Sequence, residues 1–235
     1  MLTFRYRPEI FTRYPKLRSG VLFARQVTNS HAPEPLQKVY LAEQRAVLEQ
    51  ISETMLSDLK ELSAWRSVFR AFGVEPTKYR SAPEALLRRL TKKGDIPFIN
   101  TIVDICNLVS IRYYLPTAAF DLRAIQGDVT VHFADGNERY IELGQEAVNH
   151  PDPGEVVFTD ETSLVIARRW CWRQSESGAA KLDTQDIFVT VEAVHPDGAV
   201  DAEAAVMDMV ELFRQYIGGE FTWGLLDPQR QEISG

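Results

Sequence analysis

Apolar residues recur along the chain in two periods, which predict helices and strands. Residues 36–72 and 200–217 repeat apolar positions at helical spacing, and neither segment contains Gly or Pro. Strand patterns occupy residues 20–27, 129–133, 139–143, 156–158, 164–167 and 186–194. We therefore predict an α+β fold, with mixed, largely antiparallel sheets, N-terminal helices, and a C-terminal helix packed on the sheets.

Turn and cap residues refine these boundaries. Residues 134–137 read Ala-Asp-Gly-Asn, a sequence typical of a tight turn, so we expect the strands on either side to form a hairpin. Ser81, followed by Pro and by Glu84, predicts a capping box at the start of a helix over residues 84–91. We expect a single globular unit over residues 1–235, with a mostly helical N-terminal extension in residues 1–75 and a core in residues 76–220.

The formal net charge of −7 excludes a generally basic surface, so phosphate contacts must come from local clusters. One cluster is predicted to bind RNA and consists of Arg88, Arg89, Lys92 and Lys93. A second cluster consists of Arg168, Arg169 and Arg173. Each cluster equally fits the solvated face of a helix or strand. The composition gives no reason to expect DNA as a partner.

Few residues suggest a metal, a cofactor or a membrane. The two cysteines, Cys106 and Cys171, lack metal-ligand spacing, and the four histidines are scattered along the chain. A glycine-rich phosphate loop is absent, so we expect neither a metal nor a cofactor. We also expect no signal peptide in residues 1–16 and no bilayer-spanning segment, which predicts a cytoplasmic protein.

Residues 99–107 and 115–121 stand out as a candidate pocket wall. The first segment is apolar and β-branched but contains Asn100, Asp104 and Asn107. Buried polar groups of this kind need partners or a function, which favours a pocket. The pattern of residues 99–109 alone fits either a strand or a buried helix.

These two segments resemble the "I-N-x-V-V-D-x-x-N … P-x-H-A-F-D" signature of the B3/4 domain of the phenylalanyl-tRNA synthetase beta subunit. That module hydrolyses mischarged tRNA, and in it the first segment is helical. Residues 183–187 look like the family's "E-T-Q-N-V" segment. The resemblance places Glu176 on the glutamate that recognises the wrong amino acid. It also implies that Asn107 and Pro116 line the aminoacyl pocket, with Cys106 where the family often has threonine.

Two departures from the family pattern affect this pocket. Ala118 stands where the family has the histidine thought to orient the water. The family's glycine-rich turn is replaced by Arg169, Trp170, Cys171 and Trp172. We therefore expect a pocket refilled with bulk and positive charge.

The segment around these tryptophans has two interpretations. Its arginines and indole rings suit base stacking and phosphate binding, whereas a strand with Trp170 and Trp172 packed on one face is the structural alternative. The catalytic candidates are Glu176, Asn107 and Arg173. The remaining substrate-binding candidates are Asn100, Cys106, Pro116, Ala118, Arg168, Trp170, Trp172 and Thr184.

The resemblance implies a free-standing relative of the editing domain that binds tRNA or aminoacyl-tRNA and hydrolyses a mischarged ester in trans. The alternative is a non-catalytic module that binds RNA or an amino acid. A small-molecule hydrolase acting on an anionic substrate is a third interpretation, without a specific motif. The chain lacks room for a synthetic core, so we expect it not to charge tRNA on its own.

Overall fold

The computed structural model describes residues 1–235, which form six α-helices and twelve β-strands. The helices are α1 (Pro8–Arg13), α2 (Glu34–Ile51), α3 (Lys60–Ala71), α4 (Ala82–Lys93), α5 (Thr101–Tyr113) and α6 (Gly198–Tyr216). The strands are β1 (Thr3–Tyr6), β2 (Arg18–Arg25), β3 (Thr117–Asp121), β4 (Val129–Phe133), β5 (Tyr140–Ile141), β6 (Val148–Asn149), β7 (Val156–Thr159), β8 (Val165–Arg168), β9 (Arg173–Gln174), β10 (Ile187–Ala193), β11 (Glu220–Leu226) and β12 (Glu232–Ser234).

Two main sheets organise the molecule. A four-stranded antiparallel sheet has the order β11-β2-β10-β3, and a six-stranded sheet has the order β12-β1-β4-β7-β8-β9. The second sheet is mixed, because β1 and β4 run parallel while its other pairs are antiparallel. The small pair β5-β6 stands apart. The predicted α+β class is confirmed.

Alternation along β2 shows how the layers stack. Leu22 and Ala24 lie in the core shared with helices α2, α5 and α6, whereas Val21 and Phe23 lie in the core shared with the six-stranded sheet. Successive strand residues point to opposite faces, so the four-stranded sheet is buried on both sides. The region between the two sheets is therefore an interior layer, where a cavity can be lined from both sides.

The predicted hairpin over residues 129–143 is wrong. Strand β4 pairs with β1 on one edge and with β7 on the other, so neither edge is left for the next segment. Residues Tyr140–Ile141 instead form β5 and pair with β6. The carboxylate of Glu138 accepts hydrogen bonds from the backbone N–H groups of Asp135 and Gly136, which holds the turn.

The predicted capping box at Ser81 is also wrong. Ser81 occupies the N-cap position of α4, but its side chain makes no capping hydrogen bond. The fully buried carboxylate of Glu84 accepts instead from Arg66, at 2.8 Å, and from Arg88, at 2.9 Å. Two guanidinium groups attract a buried carboxylate more strongly than one backbone amide does.

The helical pattern of residues 36–72 is divided between α2 and α3, with a short 3₁₀ turn at Leu56–Asp58 between them. The C-terminal helix α6 packs on β2 and β10, as predicted.

Strands β1 and β2, from the first 25 residues, belong to the two main sheets. None of the helices combines the length and apolar character needed to cross a membrane.

Candidate functional site

The start of helix α5 explains the polar residues of the first motif segment. The side chain of Asn100 accepts a hydrogen bond from the N–H of Val103, at 3.0 Å, and so caps the helix. Its amide nitrogen donates to the carbonyl oxygen of Ala180. The buried carboxylate of Asp104 accepts from the N–H of Ile99, at 2.8 Å. Both side chains are therefore used to begin the helix and anchor it.

A cavity of about 430 Å³ opens beside this helix. Its walls come from α4, from Asn107 on α5, from β3, from residues 170–174 and from β10. Most of its lining is apolar, including Leu86, Phe120 and Phe158. This size and lining are typical of a site for a small molecule.

The cavity brings together residues that are far apart in the sequence. The predicted site residues that line it are Asn107, Pro116, Ala118, Trp170, Trp172 and Arg173. Arg89 from the predicted RNA-binding cluster also lines it. Arg89 and Arg173 keep more than two-fifths of their side chains exposed, so their guanidinium groups lie where the cavity meets solvent.

Other predicted site residues lie outside the cavity. The carboxylate of Glu176 accepts from the N–H of Gly144, at 3.1 Å, and lies 3.7 Å from the ammonium of Lys181. The Thr184 hydroxyl donates to Asp121, at 2.5 Å. The resemblance implied that Glu176 and Asn107 share one pocket. In the structure Asn107 lines the cavity and Glu176 does not.

Two further predicted site residues, Arg168 and Cys106, are buried in the protein interior. The guanidinium of Arg168 donates to Glu155, at 2.9 Å, and only 11% of its side chain is exposed. The Cys106 thiol lies in the core between the helices and the four-stranded sheet, where burial raises its pKa to about 12. A thiol with this pKa is protonated at neutral pH and is a poor nucleophile.

The basic residues of helix α4 fall into two groups. Arg88 is tied to the buried Glu84, and Arg89 reaches the cavity while donating to the carbonyl oxygen of Asp95. Lys92 and Lys93 are exposed and form no ion pair. The two lysines therefore remain available to a polyanion on the helix that builds one cavity wall.

Trp170 and its neighbour Arg169 form a tight turn, with φ values of +60° and +46°. The Trp170 indole is 1% exposed, and its ring centroid lies 5.2 Å from that of Trp65 and 5.1 Å from that of Tyr14. The Trp170 indole is packed in the core, as the structural alternative supposed, but residues 169–172 form a turn and not a strand. Trp170 still contributes to the cavity wall. The cavity stays open although bulky residues replace the family's glycine-rich turn.

Trp172 takes a different position at the cavity wall. Its ring packs edge-on against Tyr79, and the Arg169 guanidinium lies 4.8 Å from the Trp172 ring centroid and 3.9 Å from that of Tyr79. The Arg173 guanidinium lies 4.8 Å from the same indole. Flat aromatic and guanidinium groups thus meet beside the cavity.

Sequence reasoning missed Glu192, a carboxyl group in the cavity lining. It is 2% exposed, and its Oε1 accepts from the Trp170 indole N–H, at 2.7 Å, and from the Tyr6 hydroxyl. Burial raises the pKa of Glu192 to about 7, against the lowering effect of these two hydrogen bonds. A detectable signal was present, because Glu192 is the one charged residue in the strand Ile187–Ala193.

Outside the cavity, one cluster has the composition of a metal site. Ligand atoms of Glu61, His195 and Asp201 lie within 4.8 Å of one another. The ammonium of Lys60 lies 3.7 Å from the Glu61 carboxylate and 3.5 Å from that of Asp201. The Nε2 atom of His195 also lies 2.7 Å from a carboxylate oxygen of Asp201, so these groups are already partnered by one another and by Lys60.

The comparison with protein families agrees with the motif. A model of the B3/4 domain matches residues 64–209, which is more than half of the chain. This chain belongs to the B3/4 domain family. The match spans α4, α5, β3 and β10, the elements that supply most of the cavity wall in this B3/4 protein.

Individual relatives are beta subunits of phenylalanine–tRNA ligase. The subunit of Fusobacterium nucleatum is 31% identical over 125 residues, which is 53% of this chain and 15% of that protein. The subunit of Aquifex aeolicus is 35% identical over 101 residues, or 43% of this chain and 12% of that protein. This chain thus matches less than one-fifth of the length of these relatives.

A solved structure was also found by comparison of folds. It is an N-terminal fragment of the phenylalanyl-tRNA synthetase beta subunit from Pyrococcus horikoshii. The alignment covers 94% of this chain and 50% of that chain, with 11% identity and a TM-score of 0.48.

Proposed function

We propose that this B3/4 protein binds the aminoacyl end of tRNA in the cavity and hydrolyses mischarged ester in trans. The carrying observation is that the motif residues Asn107, Pro116 and Ala118 line one cavity, with Arg89 and Arg173 where it meets solvent. An apolar chamber with guanidinium groups at its mouth suits an amino acid attached to a polyanion. Because tRNA is a ligand found in the cytoplasm, we propose that the protein acts there.

The position of helix α4 supports RNA as the larger part of the ligand. One side of α4 contributes Leu86 and Arg89 to the cavity, and its last turn carries the exposed Lys92 and Lys93. Because the whole chain has a net charge of −7, local lysines and arginines must supply the attraction for phosphate. The Trp172 ring beside the mouth offers a stacking surface for a base.

Hydrolysis in this cavity would depend on positioning and charge stabilisation. An aminoacyl ester is already activated, so a positioned water and a stabilised oxyanion lower the barrier without a protein base. In this proposal the Asn107 amide orients the ester or the water, and the Arg173 guanidinium stabilises the oxyanion. The Cys171 thiol in the lining is unsuited to be a nucleophile, because burial raises its pKa well above its ordinary value.

A non-catalytic module that binds RNA or an amino acid is the second candidate. One observation favours it: Ala118 lines the cavity where the family has a histidine, so an imidazole is absent from the lining. Such a module would retain the ligand and the cavity but show no turnover.

The test is deacylation of a panel of mischarged tRNAs by the purified protein. The proposal expects at least one tRNA to lose its amino acid faster than in buffer, and expects Asn107→Ala to slow this loss at least tenfold, the cost of about one hydrogen bond to the reacting group. Asn149→Ala, on the exposed strand β6, is the matched control and should keep the wild-type rate. Binding of tRNA without turnover would favour the second candidate. If the protein shows no turnover and also binds no tRNA at low salt, both candidate functions are refuted.

A further inference from the structure

Two polar side chains of the cavity lining, Gln174 and Thr117, each donate a hydrogen bond to the protein backbone. The Gln174 side-chain N–H donates to the carbonyl oxygen of Ala119, at 2.7 Å, and the Thr117 hydroxyl donates to that of Cys106, at 2.8 Å. The two oxygens that remain, the Gln174 carbonyl and the Thr117 hydroxyl oxygen, offer lone pairs. Both oxygens are acceptors that a ligand can reach from the cavity.

Glu192 adds the strongest acceptor. Both of its protein donors, Tyr6 and Trp170, bond to Oε1, which leaves Oε2 without a protein donor. The neighbouring strand keeps the space beside it open: the backbone N–H of Glu192 donates to Pro116, and the small Ala118 pairs across the sheet with Thr190. Ala118 therefore lies diagonally across the strand pair from Glu192, on the same face of the sheet, and its small side chain leaves space there.

The rest of the wall suits a cation. The rings of Phe120, Phe158 and Trp170 line the same cavity, and aromatic faces attract ammonium groups. A buried ammonium has three donors and needs a carboxylate or several acceptors. A hydroxyl has one donor and would leave the other acceptors unsatisfied.

We propose that the cavity is a binding site for a primary ammonium group, with Glu192 as the residue that selects it. The ligand class is an amino acid or aminoacyl ester whose buried end carries an amine, while its anionic end meets Arg89 and Arg173 at the mouth. This inference rests on the proposed function only in taking an amino-acid-like ligand.

The test uses 6-aminohexanoate and its matched neutral analogue 6-hydroxyhexanoate, measured by isothermal titration calorimetry on the whole protein. Each probe carries a carboxylate for the arginines, and the two differ only at the buried end. We expect the amine to bind at least about tenfold more tightly, because hydrogen bonds to charged groups are the stronger ones. Equal affinity, tighter binding of the alcohol, or no binding of either probe would overturn the inference.

The variant Glu192→Gln tests whether this residue causes the preference for the amine. Glutamine keeps an oxygen for Tyr6 and Trp170 and replaces the free oxygen by an amide donor. We expect the preference for the amine to fall to within about twofold, with an unchanged circular dichroism spectrum. A preserved preference in a folded variant would overturn the role of Glu192. Selective amine binding without tRNA deacylation would support this inference and contradict the proposed function. Deacylation of tRNA without selective amine binding would support the proposed function and overturn this inference.

Discussion

Replacing Glu192 by glutamine should change how the stability of the protein depends on pH. The folded state raises the pKa of this carboxyl to about 7 from its ordinary value of 4.5, mainly through burial. Between these two pH values the folded chain holds a proton that the unfolded chain has released. Rising pH therefore removes stability across this window, and the stability is fully present only below about pH 4.5.

The size of the effect follows from the width of the window. It spans about 2.5 pH units, and each unit corresponds to about 1.36 kcal/mol, so ionising Glu192 in the folded state costs about 3 kcal/mol by pH 8. Glutamine cannot ionise and has almost the same shape. Glu192→Gln should therefore match the wild type to within about 1 kcal/mol near pH 5 and be about 3 kcal/mol more stable near pH 8.

Urea unfolding of both proteins at about pH 5 and about pH 8 measures this difference. Groups elsewhere in the chain titrate in both proteins and cancel. Of the groups that face Glu192, Tyr6 and Cys171 stay neutral because their pKa values are raised well above the ordinary ones. Arg89 and Arg173 line the same cavity and are present in both proteins. A stability difference that is the same at both pH values would refute the reasoning.

Three further predictions concern the cavity and its surroundings. Ala118→His should fill the space beside Glu192 and weaken 6-aminohexanoate binding at least about tenfold by calorimetry, whereas unchanged affinity would contradict the placement of this subsite. The double substitution Lys92→Ala and Lys93→Ala should lower the slope of log tRNA affinity against log salt by about 1 to 2, while Lys38→Ala, on the exposed face of α2, should leave it unchanged. Trp170→Ala should cost about 3–5 kcal/mol in urea unfolding, because the indole is fully buried, and a cost under about 1 kcal/mol would show that the core closes around the gap.

Local sequence patterns predicted the elements better than their partners. The largely apolar runs in residues 20–27 and 186–194 predicted β2 and β10, because a strand that is buried on both faces has few polar positions. The pattern of residues 99–109 was ambiguous, and the family resemblance chose the helix correctly. The hairpin at residues 134–137 failed because a turn sequence does not reveal which strand edges are already occupied.

For the candidate site too, the sequence predicted the residues that are close together in the chain better than the distant ones. Asn107, Pro116 and Ala118 lie within one short motif, so their shared position in the cavity wall follows from α5 leading directly into β3. Counting along the chain also implied a pocket role for Glu176, but this carboxylate turns to the backbone of Gly144.

The sequence by itself determined the α+β class, the main helices and strands, and the family signature, because these depend on residues close together in the chain. Only the tertiary structure decided which carboxyl group enters the cavity. Glu192 and Tyr6 are 186 positions apart, and they meet because the two sheets stack face to face. A hydrogen bond between such distant residues depends on the packing of the layers, which no local spacing encodes.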